Sequence, residues 1–330
     1  MFGVDKNKII DEKSIIINKF QYDAKIGKYY NIFVLNIILN ILTLAIYNFW
    51  GRVRFRKYSA SSLSFLDNKF EYIGTGSQLL RGFIKGVVSI LILFFILYIL
   101  TESLNEFPIL LISAYCFIFV VICPSIFFII LYKVRAYRYS CLQWQGVKAS
   151  LIGSARKYAA LNMRYIILNI ITLGYSIPYH NVKSYSFMTN NSFFGNANIK
   201  FVGRGGDLVW VNIITLLTFI PTFGLSRFWY KAAKMRYLLS CTHIANAHFD
   251  CKYTGGKLLQ LFSINILILV CSLGFALPVV IWRNLDFMAQ NITIIGGINI
   301  NKITQFNNYK SNVAAKGIDD IFKKPLEGLL

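Results

Sequence analysis

The sequence predicts a mainly α-helical, multi-pass membrane protein built from about five repeats of about 50 residues. The first reason is composition: the 330 residues are 56% hydrophobic and 15% charged, with a mean hydropathy of +0.53, too apolar for a soluble globule. The second is two uncharged tracts, 86–101 and 107–132, which approach or exceed the ~20 residues that cross a ~30 Å hydrocarbon layer. The third is a recurring order of apolar helix, basic helix and β-hairpin.

A helix-end pattern marks the repeat. It lies at Thr43, Thr172, Thr222 and Ser272. The last three positions are 50 residues apart, and a weaker copy lies near Pro124. The interval before this weaker copy exceeds one period by about 30 residues, which matches one membrane crossing plus a loop. We therefore expect the apolar pair within 83–131 to cross the bilayer fully.

Further residues recur in register with this pattern, several of them at an offset of 179 residues. The residues expected to hold the repeat together are Trp50, Tyr58, Gly74, Gly76, Trp229, Tyr237 and Gly255. The glycines follow a strand and precede a helix. We interpret them as points where the backbone turns into the helix start, using the φ freedom of glycine.

Between the helices, apolar and polar residues alternate on either side of short polar turns, which predicts β-hairpins. Such turns lie at Asp67-Asn68, Gly195-Asn196 and Gly296-Gly297, and 142–146 looks similar. Residues Phe20–Tyr22 form a degenerate copy of the same strand element. Because a lone hairpin is marginally stable, we expect these pieces to join into one small sheet on the cytoplasmic side.

The distribution of basic residues limits the topology. Segments 48–82, 132–157 and 227–257 hold six Lys or Arg each, whereas 101–108 holds none. Simple alternation of crossings would place half of these segments on the wrong side of the membrane. In one interpretation each period is a helical hairpin that enters and leaves on one face, and this is the one we favour. In the other, the basic stretch lies flat in the interface.

The net charge of +21 points to an anionic partner. Because the basic residues flank apolar segments, we expect anionic membrane lipids rather than nucleic acid. The candidate lipid or anion contacts are Arg52, Arg54, Arg56, Lys57, Arg135, Arg138, Lys231, Lys234 and Arg236. The alternative is that these charges only set the orientation of the chain.

Polar residues recur inside the apolar helices. The candidate intramembrane polar residues are Asn36, Asn40, Arg164, Asn169, Asn212 and Asn265. Two interpretations stay open: hydrogen bonding between helices, or a path for a polar solute.

Catalysis, metal binding and cofactor binding have little support in the sequence. The one cluster of soft ligands runs from Cys241 through His243, His248 and Asp250 to Cys251, and the first repeat does not preserve it, with Ser62, Ser64, Lys69, Glu71 and Tyr72 at these positions. No triad or paired-carboxylate spacing occurs. We expect no enzyme, no catalytic residue, no metal and no cofactor.

The helix end T-L-A-I-Y-x-F-W, the basic run ending Arg56-Lys57-Tyr58 and the downstream F-x-Y-x-G-x-G resemble the YjgN-like family of bacterial inner-membrane proteins. The resemblance covers about residues 20–300, although Ala45 stands where glycine is usual. Since the function of that family is uncharacterised, the resemblance implies architecture and a place in the inner membrane. We expect a polar N-terminal arm (1–19) that is cytoplasmic and has no cleavable signal, a membrane domain (20–301) and a polar tail (302–330).

Two function classes follow. The first is a transporter or channel-like protein for a small polar or anionic solute of unknown identity. The second is a non-transporting membrane scaffold or anionic-lipid-binding protein. Homo-oligomerisation is open in both. A transporter requires polar residues from different repeats to meet in one cavity, whereas a scaffold requires a filled core and an exposed basic face.

Overall fold

The computed structural model describes residues 17–104 and 106–297. It shows five repeat units, each made of a strand, a helical hairpin and a second strand. The first unit comprises β1 (Ile17–Tyr22), α1 (Ile26–Leu42), α2 (Asn48–Ser61) and β2 (Leu63–Phe65). The second comprises β3 (Asn68–Tyr72), α3 (Gly76–Leu104), α4 (Pro108–Phe117), a π-helical segment (Ile118–Ile122), α5 (Cys123–Ser140) and β4 (Leu142–Trp144).

The other three units have the same order with short hairpins. The third comprises β5 (Val147–Leu151), α6 (Ala155–Ile171), α7 (Ile177–Asn190) and β6 (Ser192–Phe194). The fourth comprises β7 (Ala197–Phe201), a 3₁₀ turn (Gly205–Leu208), α8 (Val209–Phe219), α9 (Ser226–Ser240) and β8 (Thr242–Ile244). The fifth comprises β9 (Ala247–Cys251), α10 (Gly255–Cys271), α11 (Leu277–Asn291) and β10 (Ile292–Ile295).

The ten strands form a closed antiparallel barrel in which neighbours in sequence are neighbours in space. The predicted hairpins therefore join, but into a barrel rather than an open sheet, because β1 pairs with both β2 and β10. Closure leaves no free strand edge. The predicted second strand after Gly297 lies outside the described residues, and β10 takes β9 and β1 as its neighbours.

The barrel interior is filled by one directly opposed pair of side chains from each unit. The pairs are Phe20 with Phe65, Phe70 with Trp144, Ala149 with Phe194, Ile199 with Ile244, and Phe249 with Ile294. Most of these residues pack together in one hydrophobic cluster. Small barrels are commonly filled by side chains in this way, so the barrel axis is occupied by protein.

The tight turns and the helical hairpins leave opposite ends of the barrel. The first turn is formed by Leu66 and Asp67, with φ of 48° and 60°, which is one residue before the predicted position. Two residues with positive φ give the turn geometry that matches the twist of paired strands. All five helical hairpins consequently lie at the other end, and we call this group of helices the crown.

The helix-end pattern is explained by a shared hydroxyl. The Thr172 hydroxyl donates to the carbonyl of Leu168 at 2.7 Å and accepts the N–H of Ser176 at 3.2 Å. Thr43 and Thr222 make the same two contacts in their own hairpins. The side chain thus caps the end of the first helix and holds the start of the second.

The glycines before the helices have a different role from the one predicted. Their φ values are not positive; instead, an aromatic ring occupies the space of a side chain, from the preceding hairpin at Gly76 and Gly255 and from Tyr72 of the same unit at Gly74. A Cβ at Gly76 would lie 2.6 Å from Cγ of Trp50, and a Cβ at Gly255 would lie 2.5 Å from Cγ of Trp229. Close approach of neighbouring hairpins, rather than backbone freedom, requires glycine here.

Two further repeat residues join the helices to the barrel end. The Tyr58 hydroxyl accepts the N–H of Lys25 at 2.8 Å and donates to its carbonyl at 3.1 Å. Tyr237 makes the same pair of hydrogen bonds with Arg204. Of the predicted N-terminal arm, residues 17–19 belong to β1. Residues 1–16 and the predicted tail, 302–330, lie outside the described residues.

Candidate membrane-binding crown

The tips of the four short hairpins expose large apolar side chains. The outermost residue is Leu44, Leu173, Phe223 or Leu273, with exposed fractions of 89%, 90%, 97% and 89%. All four have φ of 48° or 49°, so the same turn presents them at equivalent places. A ring of exposed apolar tips is unfavourable in water and is typical of a surface that contacts lipid.

The second hairpin differs from the others in length. Its helices Gly76–Ser103 and Pro108–Ser140 are long and apolar enough to cross a membrane, as predicted. Helix α1 has 17 residues and α3 has 29. At 1.5 Å per residue, the second hairpin therefore extends about 18 Å beyond the first.

Most basic residues of the crown lie nearer the barrel than the tips, although Arg227, at the start of α9, lies close to the tip of the fourth hairpin. Arg54, Lys133, Lys183 and Arg283 each lie nine residues before the start of the following strand. In the fourth unit that position is alanine, and Lys234 follows it. We call Arg54, Lys133, Lys183, Lys234 and Arg283 the basic belt.

The predicted lipid-contact residues lie on the second helices of three units. Arg52, Arg54, Lys57, Arg135, Arg138, Lys231 and Arg236 are exposed, whereas Arg56 and Lys234 are half-buried. Arg56 donates to the Tyr72 hydroxyl at 3.2 Å, and Arg54 lies over the Tyr47 ring. Burial lowers the pKa of Lys234, and the charge of Lys231 contributes in the same direction. The crown therefore carries positive charge on several hairpins rather than in one cluster.

The polar residues of the first hairpin are partly unpaired. Asn36 is buried against Gly51 of the returning helix. Its Oδ1 atom, the Oδ1 atom of Asn40 and the Tyr47 hydroxyl have no hydrogen-bond partner. Buried polar atoms without partners are rare and need an explanation.

In the third hairpin Asn169 and Ser176, which have the positions of Asn40 and Tyr47, belong to a complete chain of hydrogen bonds. Asn162 donates to the carbonyl of Tyr158, so its oxygen faces Nε2 of His180 at 2.8 Å. Nδ1 of His180 faces Nδ2 of Asn169 at 3.1 Å, and the Ser176 hydroxyl donates to the oxygen of Asn169. These directions fit a neutral histidine protonated on Nε2.

Sequence reasoning missed the roles of Asn162 and His180. The spacing could have indicated them, because Asn162 lies seven residues before Asn169 on one helix face. His180 is on the other helix of the hairpin, so nothing local in the sequence connects it to either asparagine.

The remaining predicted polar residues lie in separate places. Asn212 donates to the carbonyl of Gly174 at 3.4 Å, across two units. Asn265 donates to Asn284 at 3.0 Å and accepts from Arg283 at 3.1 Å, within the fifth unit. Arg164 is exposed and shares a helix face with Ile167 and Ile171, away from the asparagines. The described polar residues therefore do not meet in one cavity.

The Cys–His–Asp cluster is divided by the barrel wall. His243 and His248 are directly opposed on β8 and β9, with ring centroids 6.1 Å apart. The strand alternation places Cys251 on the other face, where it is buried. Within residues 17–104 and 106–297, no group of three or more histidine, cysteine, aspartate or glutamate side chains could hold a metal ion.

Comparisons with known proteins relate this chain to bacterial membrane proteins. Over 100 residues, which are 30% of this chain and 23% of the relative, the chain is 32% identical to "Inner membrane protein YjgN" of Salmonella typhimurium (strain LT2). The match thus spans less than a quarter of that relative's length. No solved structure matches significantly. A family model described as "Bacterial protein of unknown function (DUF898)" matches residues 18–226 and 209–321, so the chain belongs to that family.

Proposed function

We propose that this protein is a non-transporting inner-membrane protein that binds anionic lipid through its crown. The barrel and the N-terminus face the cytoplasm, the second hairpin spans the bilayer, and the four short hairpins end inside it. The observation that carries this proposal is the set of four apolar tips at equivalent positions.

Helix length supports this depth of insertion. The hydrocarbon layer is ~30 Å thick, so tips that end about 18 Å short of a spanning hairpin lie near the bilayer centre. The two uncharged tracts of the second hairpin begin after Lys85 and end before Lys133, and the link between them carries Glu102 and Glu106. Lys85 and Lys133 mark the level at which the crown enters the membrane.

The basic belt lies at this level, which supports binding to lipid phosphates. Each basic residue near an anionic surface contributes ~1 kcal/mol of attraction. Lys133 marks the boundary directly; Arg54, Lys183 and Arg283 have its position in their own units, and Lys234 lies one residue further along. Arg164 has the same helix position as Lys85, the tenth residue, and is exposed outward at this boundary.

The filled barrel supports a function other than transport. Phe65, Trp144 and Ile294 are buried within one cluster that occupies the barrel axis. A solute path through the axis would have to displace these side chains.

The test is lipid retention. A triple variant of the belt, Arg54→Gln, Lys133→Gln and Lys183→Gln, is purified in mild detergent, and its bound lipids are counted by mass spectrometry. The control removes the same charge from the exposed barrel wall at Lys69, Lys200 and Lys252. We expect the belt variant alone to lose anionic lipid. Equal retention by both variants would overturn the proposal.

Transport of a small polar solute is the second candidate, and the unpaired atoms of Asn36 and Asn40 favour it. Its test is solute uptake into sealed vesicles. Asn40→Leu would reduce the flux of a transported solute, whereas unchanged flux of every solute tried would exclude a path at these atoms.

A further inference from the structure

A cavity of about 280 Å³ lies between α9, α10 and α11, where the fourth and fifth units meet. Most of its wall is apolar, with Phe228 on α9 and Leu261, Phe262 and Leu269 on α10. Three polar side chains also line it: Lys231, Asn265 and Asn284. An elongated apolar cavity with a few polar groups has the general character of a ligand site.

The cavity opens to the surface of the crown along one edge, where its lining residues Phe262 and Ile266 are 50% and 43% exposed. Its lining residues on α10 recur every three or four positions, from Leu258 to Leu269, and so form one stripe. Leu267 lies about 100° around the helix from Ile266, off this stripe, and is 62% exposed. In the proposed orientation Leu267 contacts bulk lipid, and the open edge of the cavity lets one lipid chain enter from the bilayer.

The charge beside the cavity is positive and unbalanced. Lys231 has no ion-pair partner among the described residues, and Lys234 lies one helical turn away over the Tyr230 ring. Asn265 is already engaged by Arg283. The site therefore presents two or three cations beside an apolar channel, and an anion would relieve their repulsion.

The depth of Lys231 in the crown is a second reason to expect an anionic ligand. Lys231 lies three residues closer to the hairpin tip than Lys234 of the basic belt, which is about 4.5 Å deeper along the helix. A lysine below the charged boundary is costly unless it extends to the interface or meets an anion. The adjoining channel continues toward the tip, past Leu269 and Val280.

We propose that this cavity binds one anionic amphiphile, with an acyl chain along α10 and a carboxylate or phosphate at Lys231. The volume is slightly below the ~300 Å³ of small drug-sized sites, which suits a segment of one chain rather than a two-chain lipid. The proposal rests on the proposed function, because it specifies a stoichiometric site within an anionic-lipid-binding crown.

The test measures binding of single-chain probes to the full-length protein in a neutral detergent. The probes are palmitate and palmitoyl lysophosphatidylglycerol, and the control probe is the zwitterionic lysophosphatidylcholine. We expect one anionic probe per chain, bound about tenfold more tightly than the control probe. Tighter binding of palmitate would identify a carboxylate as the ligand of Lys231, and tighter binding of the lysophospholipid would identify a phosphate.

Two adjacent substitutions test the location. Ile266→Trp fills the cavity and is expected to abolish stoichiometric binding, whereas Leu267→Trp adds the same bulk to the outer face and should leave it unchanged. Lys231→Met should remove the preference for anionic probes. Arg52→Met, at the equivalent position of the first unit, is its control.

The outcomes separate the two proposals. If Ile266→Trp and Leu267→Trp bind the probes equally, the cavity is not the site, even when the protein retains anionic lipid. If the belt variant retains anionic lipid while probe binding stays stoichiometric, the proposed function fails and the cavity site stands. Thermal unfolding of each variant shows that lost binding is not lost folding.

Discussion

The second hairpin and the four short hairpins begin and end in the same way. Each leaves one barrel strand and returns to the next, and each returning helix carries a basic residue at or beside the belt position. They differ in helix length, which is 17 residues in α1 and 29 in α3. In the proposed orientation, the barrel fixes where each hairpin enters the membrane, and helix length decides whether it crosses.

Accessibility of the tips gives the largest expected effect. In a background without the native cysteines, Glu106→Cys lies in the link of the long hairpin, and Leu173→Cys lies at a short tip. We expect a membrane-impermeant thiol reagent to label position 106 from outside the cell, and position 173 from neither side. Labelling of position 173 from outside would contradict a tip inside the bilayer.

A charge at a tip gives the next largest effect. Leu273→Lys places an ammonium near the bilayer centre, whereas Ile109→Lys places one at the far interface of the long hairpin. We expect the first to destabilise the protein by ~2.5–3.5 kcal/mol and the second by much less. Denaturant unfolding in lipid nanodiscs measures both, and equal costs would show that the two tips have the same depth.

The contact between hairpins gives the smallest effect. Gly255→Ala forces a Cβ into the Trp229 ring and should cost ~1–3 kcal/mol of unfolding free energy. Its neighbour Gly256 has no atom within 4 Å of the corresponding Cβ, so Gly256→Ala should be neutral or stabilising. Chemical denaturation of both variants tests the pair. A neutral Gly255→Ala would mean that the fourth and fifth units do not approach so closely.

Local chemistry explains what could be predicted from the sequence. Thr172 and Thr222 mark hairpin ends because the hydroxyl of each accepts the N–H of the residue four positions later. The turn between the two helices therefore favours a residue with a hydroxyl at this position. The two spanning helices follow from uninterrupted apolar length. Each period is a helical hairpin, as expected, because each basic stretch is the helix that returns alongside the apolar one, and its entry into the membrane stays a prediction.

The polar residues were predicted less well because their partners are distant or variable. Asn40 and Asn169 have the same place in their hairpins, yet Asn169 has Ser176 and His180 as partners, and Asn40 lacks them. Arg164 resembled an intramembrane residue in the sequence, since nothing there shows which face of the helix carries it.

The sequence by itself determined the repeat, its helices, its hairpin ends and the two helices that are long and apolar enough to cross a membrane, because each depends on residues within one turn or one helix of each other. Tertiary structure decided that five units close into a barrel, since closure depends on Ile17 pairing with Ile295 from the opposite end of the chain. It also decided why Gly76 and Gly255 must be glycine, because the rings that exclude a side chain come from a different hairpin.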